Sequence, residues 1–206
     1  DRGVLSRVHG GAVLAERLPL AEIGIHARET TAQAQKLSIA RAAAALLPEG
    51  AASILLDAGT TTGRFAELLP SGRVRTVVTN SVTAAALLSA RVGFEVELLG
   101  GRVRGLTQAT VGPIALDILK SIRVDVAFMG ANGMSVGHGF STPDPSEAAV
   151  KRAMIATARQ VVVLADASKF DLDFLVSFAG IGDVHTLVTD SGISDAAADA
   201  LRDRGI

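Results

Sequence analysis

Asp57, Gly59, Thr60 and Thr61 stand together at the end of an apolar run, in the string Ser53-Ile54-Leu55-Leu56-Asp57-Ala58-Gly59-Thr60-Thr61-Thr62. A strand ending there and a helix starting there would aim free backbone N–H groups, the positive end of the helix dipole and threonine hydroxyls at one point. That is the chemistry of a phosphate site. The same residue types also cap a helix that binds nothing, so a capped turn and an anion site both remain open at this loop. It matches neither G-x-G-x-x-G nor G-x-x-x-x-G-K-[ST], which removes support for dinucleotide and P-loop nucleotide binding.

Four further apolar runs end in a similar way. Val77-Val78 leads into Thr79, Asn80 and Ser81, which can cap a following helix or face a ligand. Val96 to Leu99 leads into Gly100-Gly101-Arg102-Val103-Arg104, where two guanidinium groups suit bidentate phosphate recognition or decorate a solvated hairpin. Ala127-Phe128-Met129 leads into Gly130-Ala131-Asn132-Gly133, and Val161 to Leu164 leads into Asp166, Ser168 and Lys169, an acid, a hydroxyl and a cation. Glu147 and Lys151, four apart, share a helix face. They form either a surface pair worth about 0.3 kcal/mol or a site in which Lys151 meets an anion and Glu147 a sugar hydroxyl or open carbonyl, a layout that also serves proton transfer. Ligands of open α/β sheets bind beyond the carboxyl ends of the strands, so these endings predict one shared small-molecule site.

The elements that would position those residues follow from the hydrophobic pattern. Residues 1–25 lack sustained periodicity and read as an extended connector; residues 26–206 read as one main domain. A helix is expected from about Arg28 to Leu47, stopped by Pro48-Glu49-Gly50. Strands at 52–57, 74–79 and 94–99 then alternate with helices at 61–69 and 81–91. After them come a strand or hairpin arm within 101–112, a helix at 113–122, a strand at 124–129 and a Gly-rich loop from Gly130 to Asp144. A helix from Ser146 to Arg159, strands at 161–165 and 185–189 and a last helix at Ile193–Arg204, capped by Ser194 or Asp195, complete the chain. The expected class is α/β, a mostly parallel sheet with helices on both faces and a small mixed or hairpin insertion.

Composition narrows the function. A formal net charge of -1 over 206 residues, with no Lys/Arg block, gives no basic footprint for nucleic acid, so this chain by itself should bind DNA poorly. With no cysteine there is no disulfide or thiolate ligand, and four scattered histidines, His9, His26, His138 and His185, show no zinc spacing; neither a metal nor another cofactor is expected. No apolar run has the length of a membrane span and no secretory leader opens the chain, so the expected compartment is the cytoplasm.

An ordered set of strings resembles the effector-sensing domain of DeoR-type transcriptional repressors over nearly the whole chain. These are Val8-His9-Gly10-Gly11-Ala12, Leu56-Asp57-Ala58-Gly59-Thr60-Thr61, Val78-Thr79-Asn80-Ser81, Leu98-Leu99-Gly100-Gly101, Asp125 to Gly130, Glu147 with Lys151 to Ile155, and Asp166-Ala167-Ser168-Lys169-Phe170. The resemblance implies a fold similar to the sugar-phosphate isomerase and CoA-transferase group, a phosphorylated sugar or polyol as effector, and a homo-oligomer. It also implies contact with operator DNA through a preceding winged helix-turn-helix, which this sequence does not contain; the chain looks like a sensor domain beginning at the connector. Carried over by position, the implied phosphosugar site is Asp57, Gly59, Thr60, Thr61, Thr79, Asn80, Gly101, Arg104, Glu147, Lys151, Asp166 and Lys169. Arg28, Lys36, Ile39 and Ala40 fit the family's helix before the first strand, whereas Ala32 and Gln35 stand where that family commonly has Asn and Glu. A sensor with no catalytic residue is the expectation, and a phosphosugar isomerase built on the same fold is the rival.

Overall fold

The computed structural model of the chain describes residues 5–8, 11–14, 22, 24–50 and 52–206. It opens with β1 (Leu5–Val8) and β2 (Gly11–Leu14), paired antiparallel. This stretch was expected as a connector, and its described part is a paired ladder; 1–4, 9–10, 15–21 and 23, with the Gly-Gly and Leu18-Pro19 signals in part among them, lie outside the described residues. Next come α1 (Ile25–Glu29) and α2 (Gln33–Ala45). The single helix expected from Arg28 is therefore broken, and Ala32 sits at the break with φ 52°, in the left-handed region. Thr30 and Thr31 donate to the carbonyl of Ala27 at 3.0 and 3.2 Å, and the Lys36 ammonium takes the carbonyls of Arg28 and Thr31. These side chains satisfy carbonyls that a continuous helix would have bonded.

The βα rhythm then proceeds as expected. It runs through β3 (Ala52–Leu56), α3 (Thr60–Leu68), β4 (Val74–Thr79), α4 (Val82–Ser89) and β5 (Glu95–Leu98). The hairpin β6 (Arg102–Arg104) and β7 (Ala109–Val111), then α5 (Pro113–Ser121) and β8 (Val124–Gly130), follow. The Gly-rich loop contains β9 (Gly133–Ser135) and β10 (Gly139–Thr142), which were not expected. After α6 (Pro145–Thr157) and β11 (Ala158–Leu164) comes β12 (Val176–Ala179), which joins β10 and β9 in a small antiparallel sheet. Gly139 makes this sheet possible: its φ is +74°, and a Cβ there would lie 2.1 Å from the Ala179 carbonyl oxygen. The chain closes with β13 (Thr186–Val188) and α7 (Asp195–Arg202), whose first turn is capped by Ser194.

Six strands form one parallel sheet in the order β13-β11-β8-β3-β4-β5. Alternation along each central strand divides the core into two layers. Ile54, Leu56, Val126, Phe128, Val162 and Leu164 face α2, α3 and α4 through Ile39, Ala43, Phe65 and Leu88. Leu55, Ala127, Met129, Val161 and Val163 face α5, α6 and α7 through Leu119, Val150, Met154 and Leu201. Burial on both faces explains why these strands read as continuous apolar runs. The chain builds outward from β3 through β4 to β5, then returns to lay β8 on the other side of β3, so the order reverses at the β3–β8 seam. The carboxyl end of such a seam is where an α/β sheet offers a crevice. Among the described residues no helix is long and apolar enough to cross a membrane.

Candidate functional site

Asp57 and Gly130 leave the sheet side by side at the ends of β3 and β8, and Lys151 reaches them from α6. The Asp57 carboxylate accepts the Gly130 amide at 3.0 Å and the Lys151 ammonium, and Lys151 also donates to the Gly130 carbonyl at 2.9 Å. Asp57 is 1 % and Lys151 4 % exposed, so this is a buried ion pair that closes a ring across the seam. Next to it, Thr79 donates to the Leu56 carbonyl at 2.6 Å, and Asn80 Oδ1 accepts the Ala58 amide at 2.8 Å. Both fix the path of the loop that carries Gly59, and α3 starts immediately after it.

A cavity of 430 Å³ opens over this seam. One wall is Ala58 to Thr62, the start of α3, and another is Gly130 to Asn132 beyond β8. Asp166 and Lys169 face it from beyond β11, Glu147 and Lys151 from α6, and Arg28, Thr31 and Lys36 from α1, the break after it and α2. Asp166 accepts the Ser168 amide at 3.2 Å and the Ser168 hydroxyl, which caps the short turn carrying Lys169. The electrostatics are uneven. Lys151 is matched by Asp57, whereas Glu147, 2.5 Å from Arg104, shares that guanidinium with Glu22 and Asp144. Among the described residues Arg28, Lys36 and Lys169 are in no ion pair, and they line the cavity together with the carboxylates of Asp166 and Glu147. Burial lowers the pKa of Lys36, and nearby Lys169, Arg28 and Arg64 push the same way against Asp166. Burial likewise lowers Arg28, opposed by Glu147, Glu22 and Asp57, and its Nε is buried without a hydrogen-bond partner among the described residues. Such a cavity gains by taking in an anion. Among the described residues no group of His, Asp and Glu side chains could hold a metal ion.

Residues 31–191 match the family model described as the DeoR C terminal sensor domain. The chain belongs to the DeoR family. It is 41 % identical over 192 residues to the HTH-type transcriptional regulator FruR of Bacillus subtilis, covering 93 % of this chain and 75 % of that protein. It is 29 % identical to the glycerol-3-phosphate regulon repressor of Escherichia coli, covering 100 % of this chain and 81 % of the repressor. Among solved structures the fold is similar to the probable sor operon regulator of Shigella flexneri, with a TM-score of 0.50 at 15 % identity over 82 % of this chain and 88 % of that one.

In this DeoR sensor domain, Gly59, Thr60, Thr61, Glu147, Lys151, Asp166 and Lys169 line the cavity together. Five other expected residues stand behind the wall or beside it. Asp57 is locked to Lys151, and Thr79 and Asn80 hold the loop backbone. Gly101 adopts φ +133°, and a Cβ there would fall 2.5 Å from the Val111 carbonyl, so it is required by the hairpin. Arg104 is not free as a counter-charge for a ligand: Glu22, Asp144 and Glu147 surround it, and the Glu22 hydrogen bonds above all raise its pKa. Arg28, Thr31, Lys36 and Thr107 line the cavity although none follows a strand of the central sheet. The signal that pointed to Arg28 and Lys36 was their place in the family pattern, and nothing local marked Thr107.

Proposed function

We propose that this chain is the effector-binding part of a repressor of sugar metabolism and that its effector is a phosphorylated sugar or polyol held in the seam cavity. The observation that carries the reading is that three cations in no ion pair among the described residues, Arg28, Lys36 and Lys169, line the cavity with the first turn of α3 and its threonines. The phosphate is assigned to Thr60, Thr61, Lys36 and Lys169, and the hydroxyls to Glu147, Asp166 and Asn132. The names of relatives, such as the glycerol-3-phosphate regulon repressor, support a phosphate ester as the ligand class. In this reading residues 26–206 sense the effector and 1–25 connect toward an operator-binding module, in a cytoplasmic homo-oligomer.

Calorimetric titration with glucose 6-phosphate, fructose 1-phosphate and glycerol 3-phosphate, each beside its unphosphorylated parent, tests it. At least one phosphate should bind while its parent binds far more weakly, and Thr60→Ala with Thr61→Ala should reduce the affinity. Equal binding of ester and parent, or no binding by any ester, would remove the phosphate site. We further propose that the domain does not turn its ligand over. The carboxylate of Asp57 is engaged by Lys151 and Gly130 behind the cavity wall, and Glu147 is held through one oxygen by Arg104 and Thr107, which leaves its other oxygen as an acceptor for a ligand hydroxyl. Ketose formation from an aldose phosphate, abolished in Glu147→Gln, would establish an enzyme instead.

A further inference from the structure

One guanidinium joins the cavity wall to the segment that precedes α1. Glu22 binds Arg104 through both carboxylate oxygens, with N–O distances of 2.8 and 2.7 Å. The same guanidinium reaches Glu147 at 2.5 Å and Asp144, the cap of α6, at 3.3 Å. The four side chains are only 12, 14, 22 and 7 % exposed for Arg104, Glu22, Asp144 and Glu147, so water does little to replace a lost partner. Two residues after Glu22, Gly24 lies against Leu106, and the Ile25 amide donates to the Leu106 carbonyl at 2.9 Å. The start of α1 is thus seated on the loop between β6 and β7, beside the hub.

Glu147 Oε1 receives both Arg104 and Thr107, while Oε2 has no hydrogen-bond partner among the described residues and the side chain lines the cavity. We infer that Arg104 is a positioning residue coupling the cavity to the segment carrying Glu22. A docked Glu22 orients the guanidinium fork, the fork fixes Glu147 with one oxygen left for a ligand, and a ligand on that oxygen in turn favours the docked segment. The coupling is positive and, being a linkage, acts equally in both directions. Lysine at position 104 would keep the charge but could not span Glu22 and Glu147 with a planar fork. The identity of the ligand rests on the function proposed above; the communication between the two ends does not.

Amide hydrogen exchange on the full chain tests both halves separately. Without ligand, Glu147→Gln should speed exchange of the Ile25 amide by about fivefold or more. Reciprocally, Glu22→Gln should speed exchange of the Glu147 amide, which bonds Asp144 at 2.8 Å. If Glu147→Gln fails to fold, the Glu22→Gln and Arg104→Lys variants decide. Whichever of glucose 6-phosphate, fructose 1-phosphate and glycerol 3-phosphate binds should slow exchange at Ile25 in the wild type but not in Arg104→Lys. Unchanged exchange at both distant amides in the folded variants overturns the coupling whatever binds. Cross-effects without binding of any ester uphold it and refute the phosphate reading alone.

Discussion

Lys151→Met isolates the buried ion pair at the seam. Methionine keeps the volume and flexible stem of lysine, so packing beside Phe178, whose ring centroid lies 5.1 Å from the ammonium, changes little. Asp57 remains 1 % exposed, with the Gly130 amide as its hydrogen-bond donor and Oδ1 already without a partner among the described residues. Removing one member of a buried pair leaves an uncompensated charge and costs about 3–5 kcal/mol. For a domain of this size each kcal/mol lowers Tm by about 2–4 °C, so a fall of roughly 6–20 °C is expected by calorimetry. Adding Asp57→Asn removes the orphan charge while leaving an acceptor for Gly130, and should restore at least half of the loss. Two results would refute the reasoning. One is a Lys151→Met variant within about 1 kcal/mol of wild type; the other is a double variant as unstable as the single, which would trace the cost to packing.

Other outcomes follow from single contacts. Phe128→Ala, at a fully buried ring 4.4 Å from that of Phe65, should cost about 3–5 kcal/mol in urea unfolding. The Ser53 hydroxyl, with the Ser53 amide, holds the Asp125 carboxyl below its usual value of 3.8. That stabilisation is present above 3.8 and is lost as pH falls through the lower folded value, so the deficit of Ser53→Ala should be full at neutral pH and close in acid. Burial gives Lys36 a pKa below the ordinary 10.5, and a bound phosphate would raise it again. Binding at alkaline pH should therefore take up a proton, detected by calorimetry in buffers of different ionisation enthalpy, and Lys36→Met should abolish the uptake.

The central sheet was legible because strands buried on both faces must be apolar throughout, and Ile54 to Leu56, Val126 to Met129 and Val161 to Leu164 have no other use. The small sheet was not, because β9 and β10 are held by close backbone approach around glycines rather than by alternation of side chains. The break between α1 and α2 also left no trace, since alanine at 32 is a helix former and its left-handed conformation is imposed by the contacts of Thr30, Thr31 and Lys36. Of the site, strand ends revealed the residues the loops present, such as Thr60 and Asp166. They could not show which of these would already be engaged, as Asp57 is by Lys151, or which cations would arrive from elements remote in sequence, as Arg28 and Lys36 do.

The seam also constrains the order in which the chain can be made. The neighbour of β3 on one side, β4, follows within a few tens of residues, but its other neighbour is β8, and Ser53 meets Asp125 across 72 positions. During synthesis, a ribosome exposes Ile54-Leu55-Leu56 with one open edge until β8 emerges. An apolar strand in that state is a template for pairing with another nascent chain. Slow codons or a stall between β5 and β8 should therefore lower the soluble yield more than the same delay placed after β8.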